Sequence, residues 1–279
     1  MIRKIISDSA CDYVENLLEN ETKFAKIPFT ISFDDKNYLD NNTVDIEQVI
    51  NELKEYKGKS SSACPGPFLW ENEAKEADEI FFVTIASGVS GSYNAALVAK
   101  EMLLDEDENK KVHVINSLSS SGLNALIVLK LEELIKTDKN FEEICNEIDE
   151  YTNKLKTNFM FLSIENFVKN GRVSKVVGAA TAMLNIAIIG ENTKEGTLGI
   201  TQKVRGVKKG LQAVFEEIKK QGYKGGKAII THCQNEINAI NLKEMILKEF
   251  KNAEILIEKT GLLCSYYAEK GGVIIGYEK

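Results

Sequence analysis

"EIFFVTIASGVSGSYNAALVAKEML", running from Glu79 to Leu103, decides the fold. Its first seven residues, through Ile85, are a nearly continuous apolar run, as a strand buried on both faces requires. Small polar residues follow in "ASGVSGS", and "YNAALVAKEML" then reads as a helix. Strand, polar loop and helix in that order form the repeating unit of a parallel α/β sheet. The unit recurs on both sides. Upstream, "RKIIS" is a strand that ends at "DSACD" and leads into a short helix. Downstream, "KVHVI" is a strand that ends at "NSLSSSG" and leads into a helix through "LNALIVLKLEELI". Ligands of such sheets bind at the carboxyl ends of the strands. The three serine-rich loops all fall there.

Around this frame, "KIPFTISF" reads as one strand and "DDK" as a turn. "VDIEQVINELKEY" is a helix on the spacing of Ile46, Val49, Ile50 and Leu53, with Asp45 as its cap. "KSSSACPGPFLW" (Lys59 to Trp70) reads as a turn, with Pro67 opening the helix that follows. "FEEICNEIDEYTNKLK" is a helix that leads out of this half. Beyond it come "NFMFLSI", a helix around "ENFVKNGRVSKVVGAATAML", and a strand pair in "IAIIGENTKEGTLGITQKV". A helix in "VKKGLQAVFEEIKKQG", a strand in "KAIITHC", a helix in "NAINLKEMILKEF" and closing strands in "AEILIEK" and "GGVIIGY" complete the chain. The expected architecture is α/β with two domains. Residues 1–158 form a parallel-sheet domain, and residues 159–279 an α+β domain.

Composition narrows the function. The 279 residues are 43% hydrophobic and 28% charged, with a net charge of −7. There is no basic surplus to neutralise nucleic-acid phosphates. The five cysteines, Cys11, Cys64, Cys145, Cys233 and Cys264, are scattered without CxxC spacing, so no zinc site or disulfide framework is expected. "MIRKIISDSACDY" meets Asp8 too early for a signal-peptide core. The longest nearly uncharged run, Val176 to Gly190, is short for a bilayer span. A cytoplasmic location with at most transient membrane contact is expected.

Two chemistries compete for the serine-rich loops. "GVSGS" (Gly88 to Ser92) is one residue short of a nucleophile elbow, which allows a serine hydrolase with Ser90 as nucleophile. Such an enzyme needs a histidine, and only His113 and His232 exist. The other reading is a passive anion site in which Ser60, Ser61, Ser90, Ser92 and Ser117 donate hydrogen bonds, with loop amides near Gly91. It suits a carboxylate or a phosphate. No Gly-rich nucleotide motif and no metal-ligand spacing are present, so neither a cofactor nor a metal is expected. Among 35 basic residues only Arg3, Arg172 and Arg205 are arginine. In a lysine-rich chain a rare arginine suggests a fixed, bidentate role.

Taken together, "IISDSACD", "IPFTISFDDKNYLD", "SSSACPGPF", "SGVSGSYNAA", "INSLSSSG", "IENFVKNGRVSK", "KVRGVKKG" and "THCQN" resemble the DegV family of bacterial fatty-acid-binding proteins, in family order and over nearly the whole chain. The resemblance implies two α/β domains with an acyl chain buried between them, the second built on a mainly antiparallel sheet. It implies a carrier rather than an enzyme, presenting the fatty acid's carboxyl group to a separate fatty acid kinase for phospholipid synthesis. Carried over by position, it assigns the carboxylate to Ser60, Ser61, Ser90, Gly91 and Ser92, with Ser62, Ser117 and Tyr267 as secondary contacts. Arg172 and Arg205 fall in the region of kinase contact. Tyr267, in "CSYYAEKGG", stands where many members carry a histidine, and "SAC" (Ser62 to Cys64) stands where Gln-Pro-Ser is usual. "VVGAATAMLNIAIIG" and "NFMFLSI" are the segments expected to line the acyl tunnel.

Overall fold

The computed structural model describes residues 1–279 apart from 13, 20, 42 and 174–184. Its centre is a parallel sheet in the order β2-β1-β6-β7, formed by Phe24–Ile27, Arg3–Asp8, Glu79–Thr84 and Lys111–Asn116. All six residues of β6 are buried, the burial expected of an apolar run covered on both faces. One face is covered by α2 (Pro67–Ala74) and α3 (Ser92–Glu106), with Trp70 packed edge-on to Phe82. The other is covered by α4 (Gly122–Ile135) and α5 (Phe141–Thr152).

A second, six-stranded sheet lies on the far side of α4. Its order is β10-β9-β8-β13-β11-β12, from Leu198–Arg205, Ile186–Asn192, Leu155–Phe161, Val273–Glu278, Lys227–His232 and Glu254–Lys259. All its pairs are antiparallel except β11 with β12. Helices α7 (Val207–Lys220) and α8 (Glu236–Glu249) cover its outer face. Helix α4 therefore serves both sheets, packing on β1 and β6 and also on β11 and β13. Gly276 permits this approach. A Cβ there would lie 2.3 Å from the Leu123 backbone nitrogen. The expected domain break at 158/159 falls within β8.

Several elements differ from the sequence expectations. "KIPFTISF" is two strands in two sheets, because Pro28 has no N–H to continue a ladder. β2 stays in the parallel sheet, while β3 (Thr30–Phe33) joins a small antiparallel sheet in the order β4-β3-β5 with Lys36–Leu39 and Ser61–Ala63. The serines read as a turn are therefore largely strand. The short helix after β1 is a 3-10 turn at Val14–Leu17. Helix α5 ends at Thr152, and β8 begins already at Leu155. Of the long helix expected from Glu165, α6 (Glu165–Lys169) is seen, ending before Gly171 with its φ of 73°. The remainder, residues 174–184, lies outside the described residues. A further helix, α9 (Leu262–Ala268), carries Tyr266 and Tyr267 and has no counterpart in the sequence reading.

Candidate functional site

The loops after β1, β6 and β7 are tied together by buried carboxylates. Asp8 accepts hydrogen bonds from the backbone of Ile85 (2.9 Å) and Ala10 (3.2 Å) and from Ser92 Oγ (2.6 Å). Asp12 accepts from Ser121 Oγ (2.6 Å) and the Gly261 amide (2.8 Å). Asp40 caps α9 by accepting from the Leu262 and Leu263 amides at 2.7 and 3.0 Å. These donors only partly offset the loss of water. Burial pushes the carboxyl of Asp8 up to about 6 and that of Asp12 up to about 7, and it raises Asp40 as well.

Next to this frame lies a cavity of about 300 Å³. Its apolar wall comes from β8, where Phe159 and Phe161 share a face because side chains alternate along a strand. Their rings stack with centroids 4.4 Å apart. Phe161 meets Phe167 at 5.7 Å, and Phe167 meets Tyr267 at 4.7 Å. Phe29, Ile85, Leu198, Leu263 and Ile274 add apolar lining. The β9–β10 hairpin closes one side through Gly196 and Thr197. It sits so near the loop after β6 that a Cβ on Gly88 would lie 2.3 Å from the Glu195 carbonyl oxygen.

At the Tyr267 end the lining becomes polar, with Ser62, Cys64, Ser90, Gly91 and Arg172. Tyr267 Oη pairs with Ser62 Oγ at 2.7 Å. Arg172 is aimed by its own bonds, donating from Nε to the Val89 carbonyl (3.2 Å) and from Nη1 to the Asn170 carbonyl (2.5 Å). Burial raises the Tyr267 phenol, opposed by the Ser62 hydrogen bond and the Arg172 charge. Gly91 is the residue before α3, whose Ser92 amide donates to Ser90 Oγ at 3.2 Å and whose dipole favours an anion at this end. Guanidinium, hydroxyls and helix terminus converge on one end of a cavity walled by phenylalanines. That arrangement can hold a carboxylate whose apolar remainder runs along the phenylalanines.

The expected site residues divide. Ser90, Gly91, Ser62 and Tyr267 line the cavity, and Arg172, expected at a kinase contact, lines it too. Ser60 and Ser61 do not. Ser60, one residue ahead of β5, meets Tyr266 Oη at 2.8 Å beside a second cavity of about 340 Å³, and Ser61, on the opposite face of β5 from Ser62, is exposed. Ser92 is fully buried with its hydroxyl on Asp8. Ser117, also buried, donates to the Ser119 carbonyl at 2.9 Å. Neither is in the lining. Arg205 is exposed at the end of β10. Of the segments expected to line a tunnel, Phe159 and Phe161 do so, residues 185–190 do not, and residues 176–184 lie outside the described residues.

The hydrolase reading finds no histidine at Ser90. His113 Nε2 pairs with Asp149 at 2.9 Å, and His232 lines a separate cavity of about 680 Å³. Among the described residues, no group of three His, Cys, Asp or Glu side chains could hold a metal ion. No helix among them is long and apolar enough to cross a membrane.

Residues 3–279 match a family model described as "Uncharacterised protein, DegV family". A DegV domain-containing protein of Streptococcus gordonii is 42% identical over 279 residues, covering 100% of this chain and 99% of its own. The Streptococcus pneumoniae Fatty Acid Kinase (Fak) B3 protein, solved loaded with linoleic acid, superposes with a TM-score of 0.97 at 40% identity, covering 100% of this chain and 99% of that one. A DegV family protein from Eubacterium eligens, solved loaded with heptadecanoic acid, gives 0.95 at 39% identity, with 99% of each chain covered. A match over almost the full length, on the same arrangement of sheets, has one conclusion: the chain belongs to the DegV family.

Proposed function

We propose that this protein binds a long-chain fatty acid, with its tail along Phe159, Phe161 and Phe167 and its carboxylate at the polar end of the cavity. The observation that carries the reading is the convergence of Arg172, Ser62, Ser90, Gly91 and Tyr267 on one end of a cavity walled by phenylalanines. The fatty acids loaded in the Streptococcus pneumoniae and Eubacterium eligens proteins support the same ligand class. Tail burial dominates the affinity. A dozen or so methylenes at about 0.8 kcal/mol each give on the order of 10 kcal/mol before ordering costs. The polar cluster sets which end of the ligand faces out.

The chain then acts as a carrier, presenting the carboxyl group to a separate fatty acid kinase that forms the acyl phosphate. The name of the Streptococcus pneumoniae relative supports a kinase partner. Purification without added lipid, extraction with organic solvent and mass spectrometry test the ligand. A bound long-chain acid is expected. Protein that yields no acyl chain and takes none up on incubation overturns the reading.

A further inference from the structure

The head-group cluster is one of two polar patches on the same cavity. The row of rings runs from Tyr267 through Phe167 and Phe161 to Phe159. Thr157 follows on the same face of β8, two residues or roughly 7 Å beyond Phe159. There the lining turns polar again, with Ser119, Ser120, Thr157, Asn192 and Thr197. Ser119 and Thr157 are buried, at 1% and 4% exposure, and Ser120, Asn192 and Thr197 are partly exposed.

The hydrogen bonds within the patch leave capacity unused. Ser119 Oγ and Thr157 Oγ1 pair at 2.7 Å, which engages one hydroxyl proton of the two. Asn192 donates to the Leu118 carbonyl at 2.9 Å, fixing the hairpin over the loop after β7. The Ser120 hydroxyl has no hydrogen-bond partner among the described residues, although it lines the cavity. A plain alkyl tail laid here would displace water from these hydroxyls and return nothing. A pocket built around hydroxyls favours a ligand that brings a matching polar group, because the ligand without it strands them.

We propose that the cavity selects acyl chains bearing an oxygen function, a hydroxyl or keto group, beyond the middle of the chain, with Ser120 and Thr157 as its partners. This rests on the fatty-acid reading above and narrows the substrate class within it. The phenylalanine row holds the apolar stretch between two polar ends, and the hydroxyl patch fixes where along the chain the second polar group must fall.

The test is competition of 12-hydroxyoctadecanoic acid against octadecanoic acid on the delipidated full-length protein, read by native mass spectrometry. The hydroxylated acid is expected to win by about tenfold, the equivalent of one net hydrogen bond. Ser120→Ala removes no internal bond, so its fold is retained. It should cut that preference severalfold, and Ser120→Ala with Thr157→Val should erase it while octadecanoic acid binds at least as well as before. Equal preference in wild type and both variants overturns the proposal. So does a wild type that prefers octadecanoic acid to both the 10-hydroxy and 12-hydroxy acids. Failure to bind any of these acids would instead remove the fatty-acid reading itself.

Discussion

Tyr267 and Ser62 meet through their hydroxyls at 2.7 Å, one on α9 and the other on β5, and both face the cavity that holds Arg172. The contact joins two elements far apart in sequence across the polar end of the cavity. Tyr267→Phe removes it without removing the ring that packs, tilted, against Phe167. Fatty-acid affinity should fall by about tenfold, the value of one hydrogen bond to a charged head group. Displacement of a fluorescent fatty acid measures this. An unchanged dissociation constant would place the carboxylate elsewhere.

Ser92 and Ser61 should behave differently from Ser90. Ser92→Ala leaves the buried Asp8 short of its 2.6 Å donor and should cost about 1–3 kcal/mol in urea unfolding. Ser61→Ala, on an exposed side chain, should change neither stability nor binding. Ser90→Ala should weaken binding and, since it removes the acceptor of the Ser92 amide at 3.2 Å, should cost stability of about 1 kcal/mol. Loss of binding in Ser61→Ala would contradict the outward side of β5.

The buried carboxylates make stability depend on pH. Asp8 and Asp12 rise from 3.8 to about 6 and about 7 in the folded chain, so between those limits the folded state holds protons that the unfolded state has released. Their contribution is full below pH 4 and is lost as pH climbs through 6 and 7. Asp12→Asn keeps an acceptor for the Gly261 amide and cannot ionise. Its melting temperature, relative to wild type, should rise between pH 5 and pH 8. A constant difference across that range would mean that Asp12 is ionised throughout.

Gly88→Ala tests the hairpin. The added Cβ would sit 2.3 Å from a backbone oxygen of Glu195, so the β9–β10 turn must move. Overpacking of this kind costs about 1–3 kcal/mol. Because Gly196 and Thr197 are part of the cavity wall, bound fatty acid should also dissociate faster in stopped-flow exchange. A variant as stable and as slow to exchange as wild type would show that the turn is not held against this loop.

Arg205 is exposed and not part of the lining, in contrast to Arg172. Arg205→Ala should bind fatty acid normally while a cognate kinase converts its bound acid to the acyl phosphate more slowly, whereas Arg172→Ala should lose both. Full turnover of Arg205→Ala would remove it from any kinase contact.

The parallel strands were readable because β6 is apolar at nearly every position, and the serine loops were placed correctly by following each strand to its end. Which serine faces the cavity was not readable. It depends on the pairing of Ser62 with Ile31, and a shift of one residue would exchange Ser61 for Ser62. Ser92 resembled its neighbours in sequence, but Asp8, at the end of β1, takes its hydroxyl. Asp40 gave no signal, since the amides it caps belong to a helix near the other end of the chain. The alternation Phe159-Met160-Phe161 did carry the stacked pair, and a reading for strand faces finds it. The scarcity of arginine singled out Arg172, but only its bonds to Val89 and Asn170 reveal where the guanidinium is held.

The position of α4 bears on how relatives of this chain can recombine. The helix is pressed between the two sheets, with the Leu123 backbone against Gly276. A crossover at residue 158 would split β8 and set α4 from one parent against β11 and β13 from another. Hybrids built that way should fold only when the parent of the second half supplies the glycine opposite Leu123 and the parent of the first half a matching helix surface. Ligand preference in this lineage is then expected to diversify by point changes around the cavity, with the two halves inherited together.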